Sequence, residues 1–426
     1  MADPAALDES VTEAGQPAEG GAVRRVGWGL ADQTLSSATN FMLAVLVART
    51  VDPASFGAFA LGYIVYALAL GTARAVAGEP LAVRYSYRTS DEIRTAGAAA
   101  AGTALALGVL AGAAVIAVGL ALGAPTRATL VPVGLFLPGL LVQDAWRSVF
   151  LALGRPARAF ANDLVWMVVQ FGGLAVVLAH QPTVGALVTV WGAAAAVAAF
   201  VGAGQAGFRP SLKGTRRWLA TNRDLWPRFA TEFWAMSGTW QLTIVVLTGT
   251  AGLEAVGAVR GAQTFLGPLN LLFLAVPLVL VPEAARLRQR KPERMLGMCG
   301  AVGITLAVIA LVATLVGLAV PASVGRQILG ETWTTARPVL LATGLFVAST
   351  GANIGAMLGL RAAGAARQSL RVRLIVSPLI LAGGFVGGLA GGALGAAVGL
   401  ALANWIATFF WWRAVFRLTR TDGEQR

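Results

Sequence analysis

Twelve apolar stretches run along the chain, and the short gaps between them alternate between strongly basic and nearly uncharged. Most stretches hold about 20–25 residues, which a helix rising about 1.5 Å per residue needs to cross a hydrocarbon core about 30 Å thick. We therefore predict an all-α integral membrane protein with twelve transmembrane helices. The predicted spans are 26–49, 54–77, 95–122, 128–152, 158–179, 183–205, 228–250, 255–281, 296–320, 337–359, 372–388 and 392–413.

The positions of lysine and arginine predict how these helices are oriented. Of the 33 basic residues, 26 lie in the N-terminal segment, the even-numbered gaps or the C-terminal tail, whereas 4 lie in the odd-numbered gaps. Loops on the cytoplasmic side carry such an excess. We therefore expect a multi-pass protein of the cytoplasmic membrane with both termini in the cytoplasm.

Composition excludes several classes of protein. A chain that is 57% hydrophobic and 12% charged leaves no room for a soluble domain. The net charge of +13 is spread over the loops, so insertion and contact with anionic membrane lipids explain it better than nucleic-acid binding. One cysteine and one histidine offer no multi-thiolate metal site and no nucleophile–histidine–acid set. We expect no enzyme activity, no resident metal and no cofactor.

The sixth gap divides the chain into two sets of six spans. We predict an N-terminal six-helix lobe at 26–205, a basic cytoplasmic linker at 206–227 and a C-terminal six-helix lobe at 228–413. Residues 1–25 are predicted to form a disordered cytoplasmic tail, and residues 414–426 a second tail. We expect this chain to act as a monomer.

The linker is rich in both arginine and tryptophan, which leaves two interpretations open. Trp218, Leu219 and Trp226 could lie on the apolar side of a helix at the inner membrane surface, with arginines toward the headgroups. The linker could equally be a solvated loop.

A sequence repeat at an offset of 200 residues relates the N-terminal spans of the two halves. Since each half has an even number of spans, both halves start on the same side, and the repeat axis runs along the membrane normal. Transporters with this plan bind substrate between the halves. The matched pairs are Asp32 with Glu232, Ser37 with Ser237, Thr39 with Thr239, Val45 with Val245, Thr50 with Thr250, Gly57 with Gly257 and Ala58 with Ala258.

Glycines recur every four residues near the end of the chain, and this spacing lets two helices approach closely. We predict tight packing around a hairpin near 388–392. The repeated positions are Gly383, Gly387, Gly391, Gly395 and Gly399.

Ionisable and amide side chains lie inside several spans, where each costs free energy unless it is paired or hydrated. Three interpretations remain open for the charged members, namely structural ion pairs, contact with a substrate or coupling ion, and snorkelling of the side chains to the membrane interface. Guanidinium groups suit phosphate oxygens. The candidate substrate-binding residues are Arg74, Arg147, Arg260, Gln143, Asn162 and Gln263. The candidate coupling or structural ion-pair residues are Asp32, Asp144, Asp163 and Glu232, with H⁺ or Na⁺ as the coupling ion.

Three segments resemble a known family of membrane proteins. They are ADQTLSSATNFMLAVLVARTVDPASFGAFALGYIVYALALGTARAVAGEPLAVR (31–84), LVQDAWRSVFLALGRPARAFANDLVW (141–166) and LGETWTTARPVL (329–340). They are similar to polysaccharide-biosynthesis proteins of the multidrug/oligosaccharidyl-lipid/polysaccharide (MOP) exporter superfamily, which includes O-antigen flippases. The resemblance implies two six-helix lobes around a central cavity. It also implies translocation of a lipid-linked oligosaccharide, with Arg74, Arg147 and Arg260 as candidates for holding its pyrophosphate.

The leading hypothesis is therefore a flippase for a polyprenyl-pyrophosphate-linked oligosaccharide that works by alternating access. Polysaccharide polymerases or glycosyltransferases would be its partners. Peptidoglycan-precursor flippases typically carry two further spans, so a lipid II substrate is not implied. A cation-coupled multidrug antiporter of the same fold, a membrane transferase acting on polyprenyl phosphates, and a scaffold without transport are the alternatives.

Overall fold

The computed structural model describes residues 19–180, 182–234, 239–290 and 292–424, and within these residues nearly every segment is helical. Nine of the described helical segments are long and apolar enough to cross a membrane. One of them, Arg367–Leu418, is long enough for two passes.

The first lobe is built from seven α-helices and a short π-helical turn. Its elements are α1 (Glu19–Thr50), α2 (Pro53–Ala73), the π-helix Arg74–Gly78, α3 (Glu79–Tyr85), α4 (Ser90–Ala121), α5 (Thr126–Ala152), α6 (Pro156–Leu178) and α7 (Val184–Ala206). The first helix begins at Glu19, so residues 19–25, predicted to be disordered, instead extend it. Helix formation is cooperative, and a stable span propagates into its flanking residues.

The linker and the second lobe contain eight further α-helices. They are α8 (Thr215–Thr221), α9 (Trp226–Phe233), α10 (Thr239–Phe265), α11 (Pro268–Arg290), α12 (Pro292–Ala319), α13 (Ala322–Leu329), α14 (Thr332–Ala362) and α15 (Ala366–Glu424).

Two of these helices contain turns that split them into separate passes. α10 turns at Gly252, whose φ of 83° is a conformation that residues with a Cβ rarely adopt. α15 turns at Gly391 and Gly392. The seventh pass therefore ends before Gly252 and the eighth follows it, and the last two passes lie on either side of 391–392. The predicted twelve-helix, two-lobe fold is confirmed.

Side-chain caps explain where several helices begin. The Asp52 carboxylate accepts hydrogen bonds from the backbone N–H groups of Ala54 and Ser55, both at 3.0 Å, and starts α2. Thr89 and Glu92 form a reciprocal capping box at the start of α4. The hydrogen bonds from Thr89 lower the pKa of the Glu92 carboxyl.

The two lobes meet at residues that the 200-residue offset pairs. A Cβ built on Gly57 would lie 3.1 Å from the Gly257 nitrogen, and one built on Gly257 would lie 3.2 Å from the Gly57 nitrogen. Equivalent residues contact each other only where a two-fold axis passes between them. The hydroxyls of Thr50 and Thr250 also donate to carbonyls four residues upstream, at 2.6 and 3.1 Å. These contacts support the parallel repeat.

The linker does not match either interpretation drawn from the sequence. Trp218, expected at the lipid surface or in water, is only 3% exposed and packs in the core of the first lobe. The backbone N–H of Ser211 donates to the carbonyl of Ala98 on α4 at 2.8 Å. The linker is therefore a folded part of the first lobe, because its tryptophan finds a protein cleft that the sequence pattern does not reveal.

Candidate functional site

A buried charge cluster links three helices of the first lobe. Arg147 on α5 forms an ion pair with Asp32 on α1, and its Nη1 lies 3.9 Å from the Asp163 carboxylate on α6. The three side chains are between 4% and 14% exposed. Two carboxylates share one guanidinium, so the cluster carries one surplus negative charge when all three groups are ionised.

Two amide side chains complete this network. Gln143 Nε2 donates to Asp163 at 2.7 Å and to the Asn162 carbonyl oxygen at 3.3 Å. Asn162 Nδ2 in turn donates to the backbone carbonyl of Ala198 on α7 at 2.8 Å. The amides therefore tie α5, α6 and α7 together inside the lobe.

A second ion pair lies nearby but is more exposed. Arg74 Nη2 lies 2.5 Å from Asp144 Oδ1, and Arg74 Nε lies 2.9 Å from Asp144 Oδ2. The guanidinium therefore binds the carboxylate through two nitrogens. The Arg74 side chain is 45% exposed, compared with 14% for Arg147. The charged residues predicted to lie at one depth thus form two separate groups.

A cavity of about 850 Å³ lies between the lobes. α1 and α2 of the first lobe and α10, α11 and α14 of the second form its walls. One of its lining residues is charged, namely Arg260. The neutral polar lining residues are Ser37, Asn40, Tyr63, Gln263, Thr264, Asn270 and Thr350.

Arg260 has a neutral partner in this cavity. Its Nη1 donates to Gln263 Oε1 at 3.2 Å, one turn further along α10. Among the described residues, no carboxylate lies within ion-pair distance of Arg260. Gly257 and Gly261 let the same helix approach α2 and α14 closely, which holds Arg260 between the lobes.

Apolar side chains form the cavity wall where α1 faces α11. Phe41 and Met42 on α1 and Leu271 and Leu274 on α11 all line the cavity. They are between 36% and 52% exposed, so this wall offers an apolar surface.

Comparison with solved structures identifies the architecture. An inward-facing MATE-family multidrug resistance transporter of the MOP superfamily matches with a TM-score of 0.69 and 14% identity, covering 91% of this chain and 95% of that one. The lipid II flippase MurJ, in an inward closed conformation, matches with a TM-score of 0.68 and 11% identity, covering 92% and 87%. The chain has the MOP superfamily fold. A MATE transporter from Vibrio cholerae covers 94% of it at 16% identity, with a TM-score of 0.50. No protein-family model and no curated protein sequence matches this MOP-fold chain.

The fold distributes the predicted site residues among four environments. Arg260 and Gln263 line the central cavity. Arg147, Gln143 and Asn162 lie in the interior of the first lobe, and Arg74 lies in its own ion pair, so the structure does not bring these four to the cavity. Glu232, the repeat partner of Asp32, is exposed on α9, and no ion pair to it occurs within the described ranges.

Sequence reasoning missed two sets of polar residues in this fold. Tyr63, Asn40 and Thr350 line the cavity although the sequence analysis did not select them. Neutral polar residues are common in membrane spans, and only the positions of neighbouring helices show which of them face a cavity.

The second missed set joins α14 to the last pass. Asn404 Nδ2 lies 2.7 Å from Ser349 Oγ and 3.0 Å from Thr350 Oγ1, and its carbonyl oxygen accepts from Asn353 Nδ2 at 3.2 Å. Both asparagines are buried. The side chains of this network, which joins α14 to the last pass, are thus all neutral.

Proposed function

We propose that the protein is a flippase that moves a polyprenyl-pyrophosphate-linked oligosaccharide across the cytoplasmic membrane. The observation that carries the proposal is a cavity between two lobes in which, among the described lining residues, the one charged side chain is an arginine. A site for organic cations requires carboxylates or an aromatic cage without competing positive charge. Arg260 instead favours an anionic substrate.

The cavity chemistry suits the two polar parts of such a substrate. The Arg260 guanidinium can donate two parallel hydrogen bonds to phosphate oxygens, and Gln263 orients it. The hydroxyl and amide groups of Tyr63, Asn40 and Thr350 can bind sugar hydroxyls. A volume of about 850 Å³ is that of a pocket for a drug-sized molecule, so it holds the pyrophosphate and the first sugars of a longer glycan.

The polyprenyl chain would lie against the apolar wall of the cavity, away from its polar side chains. The apolar wall formed by Phe41, Met42, Leu271 and Leu274 offers a surface along which the chain can extend toward the bilayer. Burial of hydrocarbon there costs nothing relative to lipid, whereas burial of the pyrophosphate in lipid would be prohibitive.

The buried cluster of Asp32, Arg147 and Asp163 supports coupling to a cation. Its surplus negative charge lies among membrane helices, where a net charge is unfavourable. Binding of H⁺ or Na⁺ would neutralise the cluster and alter the contacts among α1, α5 and α6. Asp144 and Glu232 are less suited, since Asp144 is already paired with Arg74 and Glu232 is exposed.

A cation-coupled multidrug antiporter is the second candidate. The similarity to MATE transporters and the buried acids of the first lobe favour it. These acids are paired with Arg147, however, and do not line the cavity.

Flipping of a fluorescent polyprenyl-pyrophosphate oligosaccharide in proteoliposomes tests the proposal. Arg260→Gln should slow flipping about 10- to 100-fold, because a hydrogen bond to a charged group contributes about 1.5–3 kcal/mol. Arg260→Lys should retain part of the rate, since it keeps the charge but loses the planar fork. Arg286→Gln, at an exposed arginine on α11, is the matched control.

An unaltered rate in the Arg260→Gln protein with parent-like abundance would reject the role of Arg260 in binding the substrate. Efflux of cationic dyes by the parent protein without any flipping of the labelled lipid would reject the flippase function and establish the antiporter instead.

A further inference from the structure

The second span contains a local change of helix type just after its midpoint. Between α2 and α3, residues Arg74–Gly78 form a π-helical turn, in which the Glu79 N–H donates to the Arg74 carbonyl five residues back. Pro80 follows directly. Such turns are rare and occur mostly at functional sites, and this one begins at the arginine that binds Asp144.

Pro80 removes one backbone donor next to this turn. In a continuous α-helix the N–H of residue 80 would donate to the carbonyl of Val76, but proline has no N–H. Val76 is buried, and an unpaired buried carbonyl is costly.

The linker supplies a donor to the Val76 carbonyl. Trp218 Nε1 on α8 donates to the Val76 carbonyl oxygen at 3.0 Å, across 142 residues of sequence. The Trp218 side chain is almost completely buried, and its ring stacks on Tyr85 with a centroid distance of 5.7 Å. Tryptophan is suited to this position because it offers a large apolar ring with one N–H donor.

Further contacts hold the linker beside the same turn. Arg84 on α3 donates to the Thr221 carbonyl at 2.5 Å and pairs with Asp224 at 2.6 Å. On the other side of the turn, a Cβ on Gly71 would collide with the ring of Phe233 on α9. The segment that connects the lobes therefore contacts the second span both before and after Arg74.

We propose that Trp218 is a positioning residue whose indole N–H stabilises the π-helical turn of the second span and thereby holds Arg74 on Asp144. The linker packs on the first lobe, but α9 leads from it into the second lobe, so a movement of the second lobe pulls on the linker. A shift of the linker withdraws the donor from Val76, the turn rearranges, and the half-exposed Arg74 guanidinium becomes free for an anionic substrate. The expected effect of Trp218 on transport rests on the proposed flippase function, whereas its effect on the π-helical turn does not.

Cysteine reactivity measures the state of the turn directly in the full-length protein. The chain has one cysteine, Cys299, which is buried and gives a low background. Ala77, within the turn, is 2% exposed, so Ala77→Cys should react slowly with maleimide. Adding Trp218→Phe, which keeps the ring but removes the N–H, should raise the labelling rate about fivefold, corresponding to about 1 kcal/mol.

A restoring variant and a matched control make this experiment decisive. Pro80→Ala supplies an N–H to the same carbonyl, so Trp218→Phe with Pro80→Ala should return to the slow labelling rate. Trp226→Phe removes the indole of another linker tryptophan, which donates to Leu219 within the linker at 3.3 Å, and should leave labelling slow. Parent-like labelling in Trp218→Phe, or fast labelling that Pro80→Ala does not reverse, would overturn the proposal.

A transport measurement links the turn to Arg74. Trp218→Phe and Arg74→Gln should each slow flipping about fivefold, and their combination should slow it no further, because both act through one guanidinium. If the two reductions in flipping rate multiply in the double variant, Trp218 affects transport by a route other than Arg74. If the parent protein flips no labelled lipid, the proposed function fails, while the labelling result still decides the role of Trp218.

Discussion

The two lobes share a helix plan but stabilise their interiors with different chemistry. The first lobe holds Arg147 between two carboxylates, whereas in the second lobe Asn404 joins the last pass to α14 through Ser349 and Thr350. Charged groups bind strongly inside a membrane but are costly when unbalanced, while neutral amides contribute little and tolerate rearrangement. The first lobe therefore has the group that can respond to a cation.

The last two helices of each lobe also contact each other differently in the two lobes. In the first lobe, α6 and α7 meet through side chains, including Trp166 Nε1, which donates to the Trp191 carbonyl at 3.3 Å. In the second lobe, the last two passes meet backbone to backbone at Gly387 and Gly395. Side-chain contacts can adjust when helices shift, but backbone contacts leave no room for an added atom.

The largest expected effect comes from removing the shared cation of the first lobe. Arg147→Gln leaves Asp32 and Asp163 buried without a positive partner and should destabilise the protein by about 3–5 kcal/mol. The measurement is the apparent melting temperature in detergent micelles. Adding Asp32→Asn to Arg147→Gln removes one of the two stranded charges and should recover part of the loss. A double variant as unstable as the single one would show that Arg147 contributes by packing alone.

An intermediate effect is expected at the closing hairpin of the second lobe. Gly387→Ala places a methyl group against the backbone of Gly395 and should cost about 1–3 kcal/mol. Gly300→Ala on α12 is the matched control, since a Cβ there meets nothing within 4 Å and the backbone is helical. Thermal unfolding of both variants tests the contact, and equal stability would contradict the close packing.

The smallest effect should come from the neutral network. Asn404→Ala removes hydrogen bonds to Ser349 and Thr350 and should cost about 1 kcal/mol, because such bonds are weak between membrane helices. Asn353→Ala should cost less, since its Nδ2 makes one bond and its Oδ1 has no hydrogen-bond partner. A loss at Asn404 as large as that at Arg147 would remove the distinction between the lobes.

The helix plan could be read from the sequence because it depends on local chemistry. The length and polarity of each stretch decide whether it can cross a bilayer, and the glycine spacing around 391–392 predicted the final hairpin correctly. The pairing of Gly57 with Gly257 was likewise visible as a repeat. Loop charge is also a local property, and it predicts which side of the membrane each loop faces. This orientation stays a prediction.

The sequence could not distinguish the roles of the arginines inside the spans. Arg74, Arg147 and Arg260 are chemically identical, and each lies in an apolar segment next to other polar residues. The structure pairs the first two with acids and leaves the third in the cavity beside Gln263. The role of a buried charge depends on which side chains of distant helices face it, and helix rotation and packing decide that only in the folded protein.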